Sequence, residues 1–439
     1  SSGSLGGSCG AADEEDSSWH GTQTAGVLAA ATNNAAGMAG VAYDTKVVPV
    51  RALGKCGGWD SDIIAAAQWA GGISLPSPKG SSGIAIPANI HPARVINMSL
   101  GGSEPCTAAY REALTALRNK GVVVVAAAGN DTGLAVDAPA NCKPLAGDAD
   151  QTPVVIAVAG LRNAGDKVGY SDIGPEVTIA APAGNCGTTN PSAPCLYPIL
   201  TTANTGTTTP VAGGAKLTGT GGDASLGTSF STPMVAGTVA LMLAANPALT
   251  NAQVIALLKS TARPFPTSGG TAGTPQCTAP SSAAQDECYC TTATCGAGML
   301  DAGNAVTAAA ALAVATARIS GGGTVATGGT LTLDGSTSSG THAAAITGYA
   351  WAIIGGANAA TLSGASGSSV VLTGVAAGTV DVQLTVTDAT GASASSTTAI
   401  TVTAPASAGG GGGASSPIWL ALLAACGLWL APRNRGRVH

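Results

Sequence analysis

The sequence predicts an α/β domain with a mainly parallel sheet flanked by helices, then a small all-β sandwich, then a C-terminal apolar helix. Three observations carry this prediction. Between residues 20 and 315, short apolar runs alternate with helix-like runs, the order that builds a parallel sheet covered by helices. From about residue 317 the pattern becomes Thr- and Val-rich alternation broken by Gly, Ser and Asp turns, as in antiparallel sandwiches. The run "PIWLALLAACGLWLAP" at 417–432 is apolar throughout.

In the first region, "KVVPVRAL" (46–53), "ARVINMSLG" (93–101), "GVVVVAAAGN" (121–130), "TPVVIAVAG" (152–160) and "EVTIAAP" (176–182) are the strand candidates. They are apolar on both faces, which suits strands buried between two helical layers. The helix candidates are "SDIIAAAQWA" (61–70), "TAAYREALTALRNKG" (107–121), stopped by Gly121, and "LTNAQVIALLKSTARP" (249–264). The last has Thr250 as N-cap and Gln253 three residues on, the spacing of a capping box. In the second region the strands are "GGTLTLDGSTSS" (328–339), "ITGYAWAI" (346–353), "SSVVLTGV" (368–375), "GTVDVQLTVTD" (378–388) and "STTAITVTA" (396–404), with Trp351 as the core aromatic. The domain boundaries read from this pattern are 1–315 and 316–404. A Gly-rich linker (405–416), the apolar segment (417–432) and a basic tail (433–439) follow. The apolar segment is short for a full membrane span. Its terminal position and the closing Arg433, Arg435 and Arg437 favour a membrane segment with its basic end cytoplasmic; a buried core helix is the alternative.

Charged residues make up 9% of the 439 residues, aromatics 3%, and the net charge is -5. No Lys/Arg block breaks the body of the chain, which speaks against a nucleic-acid partner. Of the 11 cysteines, only Cys426 lies beyond residue 300. They lack the paired CxxC or histidine spacing of a zinc site, so disulfides and an oxidising, extracytoplasmic compartment are expected. Connectivity is not readable from spacing; Cys56–Cys106 and Cys186–Cys195 are trial pairs. No signal peptide opens the chain.

The chemistry concentrates in three stretches. In "GTSFSTPMVAGTVALMLAANP" (227–247), Ser229 sits where a Gly/Thr turn meets an apolar helix. The free amides and dipole there favour developing negative charge. Pro233 fits if it stands in the first helical turn, where no internal N–H is needed. "WHGTQTAGVLAAATN" places His20 at the head of a small-residue helix, and "VVVVAAAGN" ends a strand on Asn130. Of the other histidines, His91 precedes Pro92 in a loop and reads as solvated, His342 falls in the sandwich and His439 in the tail.

Together "HGTxxAG" (20–26), "SLGG" (99–102), "AAGN" (127–130) and "GTSFSTP" (227–233) resemble the subtilisin-like serine proteases, in the family's order. "SSWHGT", "GKCGGWDSD" and "INMSLGG" are similar to its extracellular, disulfide-bearing bacterial branch. "LDGSTSS", "YAW" and "LTVTDATGAS" resemble PKD-type immunoglobulin-like modules, and the Gly run, apolar helix and basic end resemble a bacterial Gly-Gly sorting tail. The resemblance implies a secreted or cell-surface endopeptidase acting on protein or peptide substrates. Ser229 would be the nucleophile, His20 the general base and Asn130 the oxyanion donor. Ser99-Leu100-Gly101 and Ala127-Ala128-Gly129 would be strand edges for an extended peptide. It implies no catalytic cofactor and admits structural calcium, with no legible ligand set. Gln23 stands where many relatives carry a second histidine.

The family's triad runs Asp, His, Ser. Before His20 only Asp13 and Asp16, in "ADEEDSS", are available, and these read as solvated loop. The expectation is therefore a truncated chain lacking the first strand and the triad aspartate, and nearly inactive as written. The competing reading is a surface-binding protein that uses the sandwich, with the α/β region an inactive scaffold.

Overall fold

The structure is a computed structural model. It describes residues 16–54, 57–75, 86–185, 197–219, 224–312, 315–341, 344–389 and 392–404. Two compact units, 1–314 and 315–439, are taken in turn. The linker, the apolar segment at 417–432, the basic tail, Asp13, His342, Cys56, Cys186 and Cys195 lie outside the described residues.

The first unit is built on four parallel strands: β1 (Val95–Met98), β2 (Val123–Ala127), β3 (Ile156–Leu161) and β4 (Val177–Pro182), hydrogen-bonded in that order. Alternation divides their side chains between two cores. Val123, Val125, Ile156, Val158 and Ile179 face one layer of helices: α4 (Thr228–Ala245), α5 (Asn251–Ser260) and α6 (Ala302–Ala311). Val124, Ala126, Ala157 and Ala159 face α2 (Asp60–Ala70) and α3 (Ala108–Asn119), through Ile63, Ala67, Leu114 and Leu117. Both faces are thus buried, which is why these strands read as unbroken apolar runs. A short antiparallel pair, β5 (Thr202–Asn204) and β6 (Ala215–Leu217), lies beside α1 (His20–Ala29). The capping box at Thr250 and Gln253 is formed, and Gly121 ends the α3 turn at φ +77°.

Three readings need correction. The run 46–53 forms no strand; Val47, Val48, Val50 and Leu53 are 37–45% exposed. Pro49 removes a ladder donor from its middle, and no described strand pairs with it. Cys106 bonds Cys142 rather than Cys56, tying the head of α3 to the loop beyond β2. Cys277–Cys288 and Cys290–Cys295 cross-link the segment before α6. Pro233 is the sixth residue of α4, not in its first turn, a point with consequences for Ser229. That helix is also long and apolar enough to cross a membrane by length and composition, yet 67% of it is buried in the domain.

The second unit is a sandwich. One sheet joins β10 (Ala360–Ser363), β11 (Ser369–Gly374) and β8 (Thr330–Asp334). The other joins β7 (Gly323–Ala326), β13 (Ser393–Thr403), β12 (Gly378–Asp388) and β9 (Ile346–Gly355). Val380, Val382, Leu384 and Val386 alternate inward along β12 against Leu333, Leu372 and Trp351. The Trp351 indole N–H donates to the Gly367 carbonyl at 3.0 Å, satisfying its buried polar end. β7 and β10, four residues each, are too short to announce themselves as alternating runs.

Candidate active site

Ser229, His20 and Asn130 come from three elements. The first is the head of α4, whose sequence explains its geometry. Gly227 has φ +125°, a conformation L side chains rarely adopt. A Cβ there would lie 3.4 Å from Asn130 Oδ1 and 3.7 Å from the Ser229 amide nitrogen. Gly227 therefore keeps open the space beside both groups. The hydroxyls that follow are sorted by their partners. Thr228 Oγ1 donates to Gly129 O at 3.1 Å, Ser231 Oγ to Ala181 O at 3.0 Å, and Thr232 Oγ1 to Thr228 O at 2.8 Å. All three side chains are 0% exposed. The Ser229 hydroxyl alone is half-buried and has no partner among the described residues.

The Ser229 backbone is anchored from outside its helix. In a regular helix the Ser229 carbonyl accepts from the amide four residues on. That residue is Pro233, which has no N–H and whose ring pushes the carbonyl aside. Ser99 Oγ replaces the missing donor at 2.7 Å, and Asn97 Nδ2 donates to Ser99 Oγ at 3.0 Å.

His20 opens α1. The preceding Trp19 is left-handed at φ 54°, an uncommon state for a bulky residue. It is held by the indole N–H donating to Gly206 O at 2.8 Å. Thr201 Oγ1 donates to Gln23 O at 2.6 Å and Thr202 Oγ1 to Thr22 O at 2.9 Å. This approach is so close that a Cβ on Gly26 would sit 2.4 Å from Thr202 Oγ1 and 2.5 Å from Thr201 Oγ1. Gln23 is structural: its side-chain nitrogen donates to Ser18 O and its oxygen accepts from Ser225 Oγ. The His20 ring lies edge-on to Phe230, the neighbour of Ser229, with centroids 5.7 Å apart. No hydrogen bond joins the ring to Ser229, and among the described residues no carboxylate bonds it. Burial holds its pKa below the usual imidazole value.

Asn130 is exposed at the end of the β2 strand run. Its Oδ1 accepts from the Thr228 amide at 2.9 Å and lies 3.2 Å from Thr228 Oγ1, which leaves Nδ2 unengaged beside Gly227. The segments expected to flank a substrate differ from each other. Ala128 donates to Val158 O and accepts from the Asp137 amide, and Gly129 O accepts from the Asp172 amide. The backbone of Ala128 and Gly129 is thus committed to bonds inside the domain, whereas Leu100 and Gly101 have no backbone partner among the described residues. His91 is exposed and apart from this site.

The profile described as "Subtilase family" matches residues 6–289, well over half of the chain. The chain belongs to the subtilase family. A second profile, of a "PKD domain", matches residues 322–402 of this subtilase. The chain is 42% identical over 298 residues to an "Extracellular protease" of Xanthomonas campestris pv. campestris, covering 67% of this chain and 40% of that protein. It is 35% identical over 234 residues to an "Extracellular basic protease" of Dichelobacter nodosus, covering 53% and 32%. The chain thus spans less than half the length of these relatives. A solved protease structure from Pseudoalteromonas arctica matches with TM-score 0.53 and 40% identity, covering 67% of this chain and 72% of that one.

Beside the subtilase site lie residues that sequence reasoning missed. Asp172, 0% exposed, accepts from the amides of Asp131 (3.0 Å) and Leu134 (2.9 Å) and so shapes the loop after Asn130. Lys167, also 0% exposed, donates to the carbonyls of Val168, Gly169 and Ser171 at 2.8–3.0 Å. Asp131, Asp137 and Asp172 bring carboxylate oxygens within 4.8 Å of one another. Both Asp172 oxygens already serve amides, which leaves the cluster poor in the six to eight oxygens that calcium gathers. The signal in the sequence was a lone acid in the apolar "LAVDAPA".

Proposed function

We propose that this subtilase is a serine endopeptidase working outside the cytoplasm. The observation that carries the reading is the Ser229 hydroxyl, left free at a helix head where every neighbouring hydroxyl is bound. Ser229 Oγ attacks the scissile carbonyl and its proton passes to the His20 imidazole. Burial favours the neutral form of His20 that this requires. The oxyanion receives the Ser229 amide N–H and Asn130 Nδ2, the two donors flanking Gly227. His20 then returns the proton to the leaving amine, and water hydrolyses the acyl-enzyme by the same steps reversed. The triad's aspartate, expected upstream of His20, would orient its imidazole. The contact between nucleophile and base closes on substrate binding, as such contacts do when they are long in the free enzyme. Residues 1–315 form the peptidase domain, with Leu100 and Gly101 as the edge for the peptide and Ala127–Gly129 as the facing wall. The sandwich is an accessory module. No step needs a metal; any calcium would be structural. The disulfides and the extracellular relatives support the compartment.

The expected inactivity of the chain finds no support in the family or its relatives. The test is capture of Ser229 by a fluorophosphonate, with casein hydrolysis, in the full-length gene product and in Ser229→Ala. Labelling and hydrolysis that vanish together in Ser229→Ala support the reading. A protein that folds, refuses the label and leaves casein intact is a scaffold rather than an enzyme.

A further inference from the structure

The loop between β2 and β3 carries a carboxylate into the gap between the two substrate-flanking segments. The Asp137 amide donates to Ala128 O at 2.8 Å, and the next residue, Ala138, exchanges both backbone hydrogen bonds with Gly102 at 3.0 Å. Asp137 is thus a rung joining the 99–102 segment to the 127–129 segment. Its side chain lies against one glycine of each segment, Gly101 and Gly129. A Cβ on Gly101 would meet Asp137 Cβ at 3.1 Å and Oδ2 at 3.3 Å; one on Gly129 would meet Asp172 Oδ2 at 2.2 Å and Asp137 Oδ2 at 2.8 Å. The Asp137 carboxylate therefore packs directly against the backbone of both segments, where only glycine leaves it room.

Its electrostatic position is unusual. Asp137 is 8% exposed, and its Oδ1 is buried with no hydrogen-bond partner. The charged neighbours are Asp172 and Asp131, both negative, and no cationic side chain pairs with it among the described residues. The Lys167 ammonium is occupied by three carbonyls. Burial first, then Asp172 and Asp131, push the Asp137 pKa up to about 7. A buried carboxylate without a counter-ion is costly, and an incoming cation relieves that cost. On the peptidase reading the scissile carbonyl sits at Ser229 and Asn130; because Asn130 directly follows Gly129, the side chain before the scissile bond would run along Gly129 toward Asp137.

We propose that Asp137 forms the floor of the pocket for the residue preceding the scissile bond and selects arginine or lysine there. This rests on the peptidase reading and adds its substrate class. The test uses the full-length gene product and fluorogenic peptides that differ only at that residue: arginine, lysine, leucine or phenylalanine. The basic peptides should be favoured in kcat/KM by about 100-fold or more, because a polar floor left unpaired rejects apolar side chains. Asp137→Asn should lose most of that preference. Should the variant fail to fold, the wild-type series and competitive inhibition by benzamidine decide alone. Preference for leucine or phenylalanine, with Ser229 still taking a fluorophosphonate, overturns the selectivity and leaves the peptidase standing. Absence of both labelling and cleavage removes both. A flat profile, with calcium raising the Tm of wild type but not of Asp137→Asn, makes the carboxylates a metal site and overturns the proposal.

Discussion

Ser99→Ala removes the donor that serves the Ser229 carbonyl in place of the proline-blocked helix bond. The Ser99 side chain is 9% exposed and its bond to Ser229 O is 2.7 Å. A carbonyl left unpaired in such a place costs about 1–3 kcal/mol; we expect about 2 kcal/mol of stability. The cause can be isolated, because Pro233→Ala restores an N–H four residues after Ser229. In the Pro233→Ala background the helix itself satisfies the carbonyl, and Ser99→Ala should then cost less than about 0.5 kcal/mol. The double-mutant cycle should therefore show a coupling energy of about 1.5 kcal/mol, inside the range for residues that share one partner. Urea unfolding of the four proteins, followed by near-UV circular dichroism, measures it. Equal costs of Ser99→Ala in both backgrounds, within about 0.3 kcal/mol, would refute the reasoning. In catalysis, Ser99→Ala should lower kcat more than it raises KM, since the hydroxyl holds the backbone of the proposed nucleophile Ser229 rather than the peptide.

Asn130→Ala should reduce kcat by about 100- to 1000-fold with little change in KM, a magnitude known from subtilisin itself rather than worked from this structure; initial rates on a peptide substrate check it. Gly26→Ala would press a methyl against the Thr201 and Thr202 hydroxyls and should cost about 1–3 kcal/mol. Trimming both threonines to serine should not relieve it, because the hydroxyls remain; trimming both to alanine should relieve part of it, the Thr202 amide nitrogen at 3.1 Å staying close, as thermal unfolding would show. Lys167 has its pKa lowered to about 8, burial being the main cause. The folded state thus holds fewer protons than the unfolded chain between about pH 8 and the ordinary lysine value. Stability should rise with pH across that window, by at most about 3 kcal/mol, and Lys167→Met should abolish that slope in unfolding curves taken from pH 7.5 to 10. Trp351→Ala should cost the sandwich about 3–5 kcal/mol, read as the transition of the isolated PKD-type module or, should that fail to fold alone, as the second transition of the full chain.

Periodicity and local chemistry determined much of this subtilase from the sequence. The runs at 93–101, 121–130, 152–160 and 176–182 became neighbouring strands because their two-faced apolarity leaves them nowhere to go but a buried sheet. Thr250 with Gln253 made a capping box, and Gly121 ended a helix, because those bonds are closed within a few residues. The family was legible in "HGTxxAG" and "GTSFSTP". What the sequence alone left undecided depends on residues that meet across long separations. A valine-rich run at 46–53 is a strand only if another backbone accepts it. Cys106 chose Cys142 over Cys56 through the placement of α3. Pro233 looked harmless until α4 was seen to begin at Thr228, which turned Ser99 into the partner of a carbonyl 130 residues away. Asp137 was one acid in an apolar stretch until the fold set it between Gly101 and Gly129. Local hydrogen bonds and alternation are written in neighbouring letters; the partner of a buried hydroxyl or carboxylate is set by the packing of whole layers, which no short window of sequence contains.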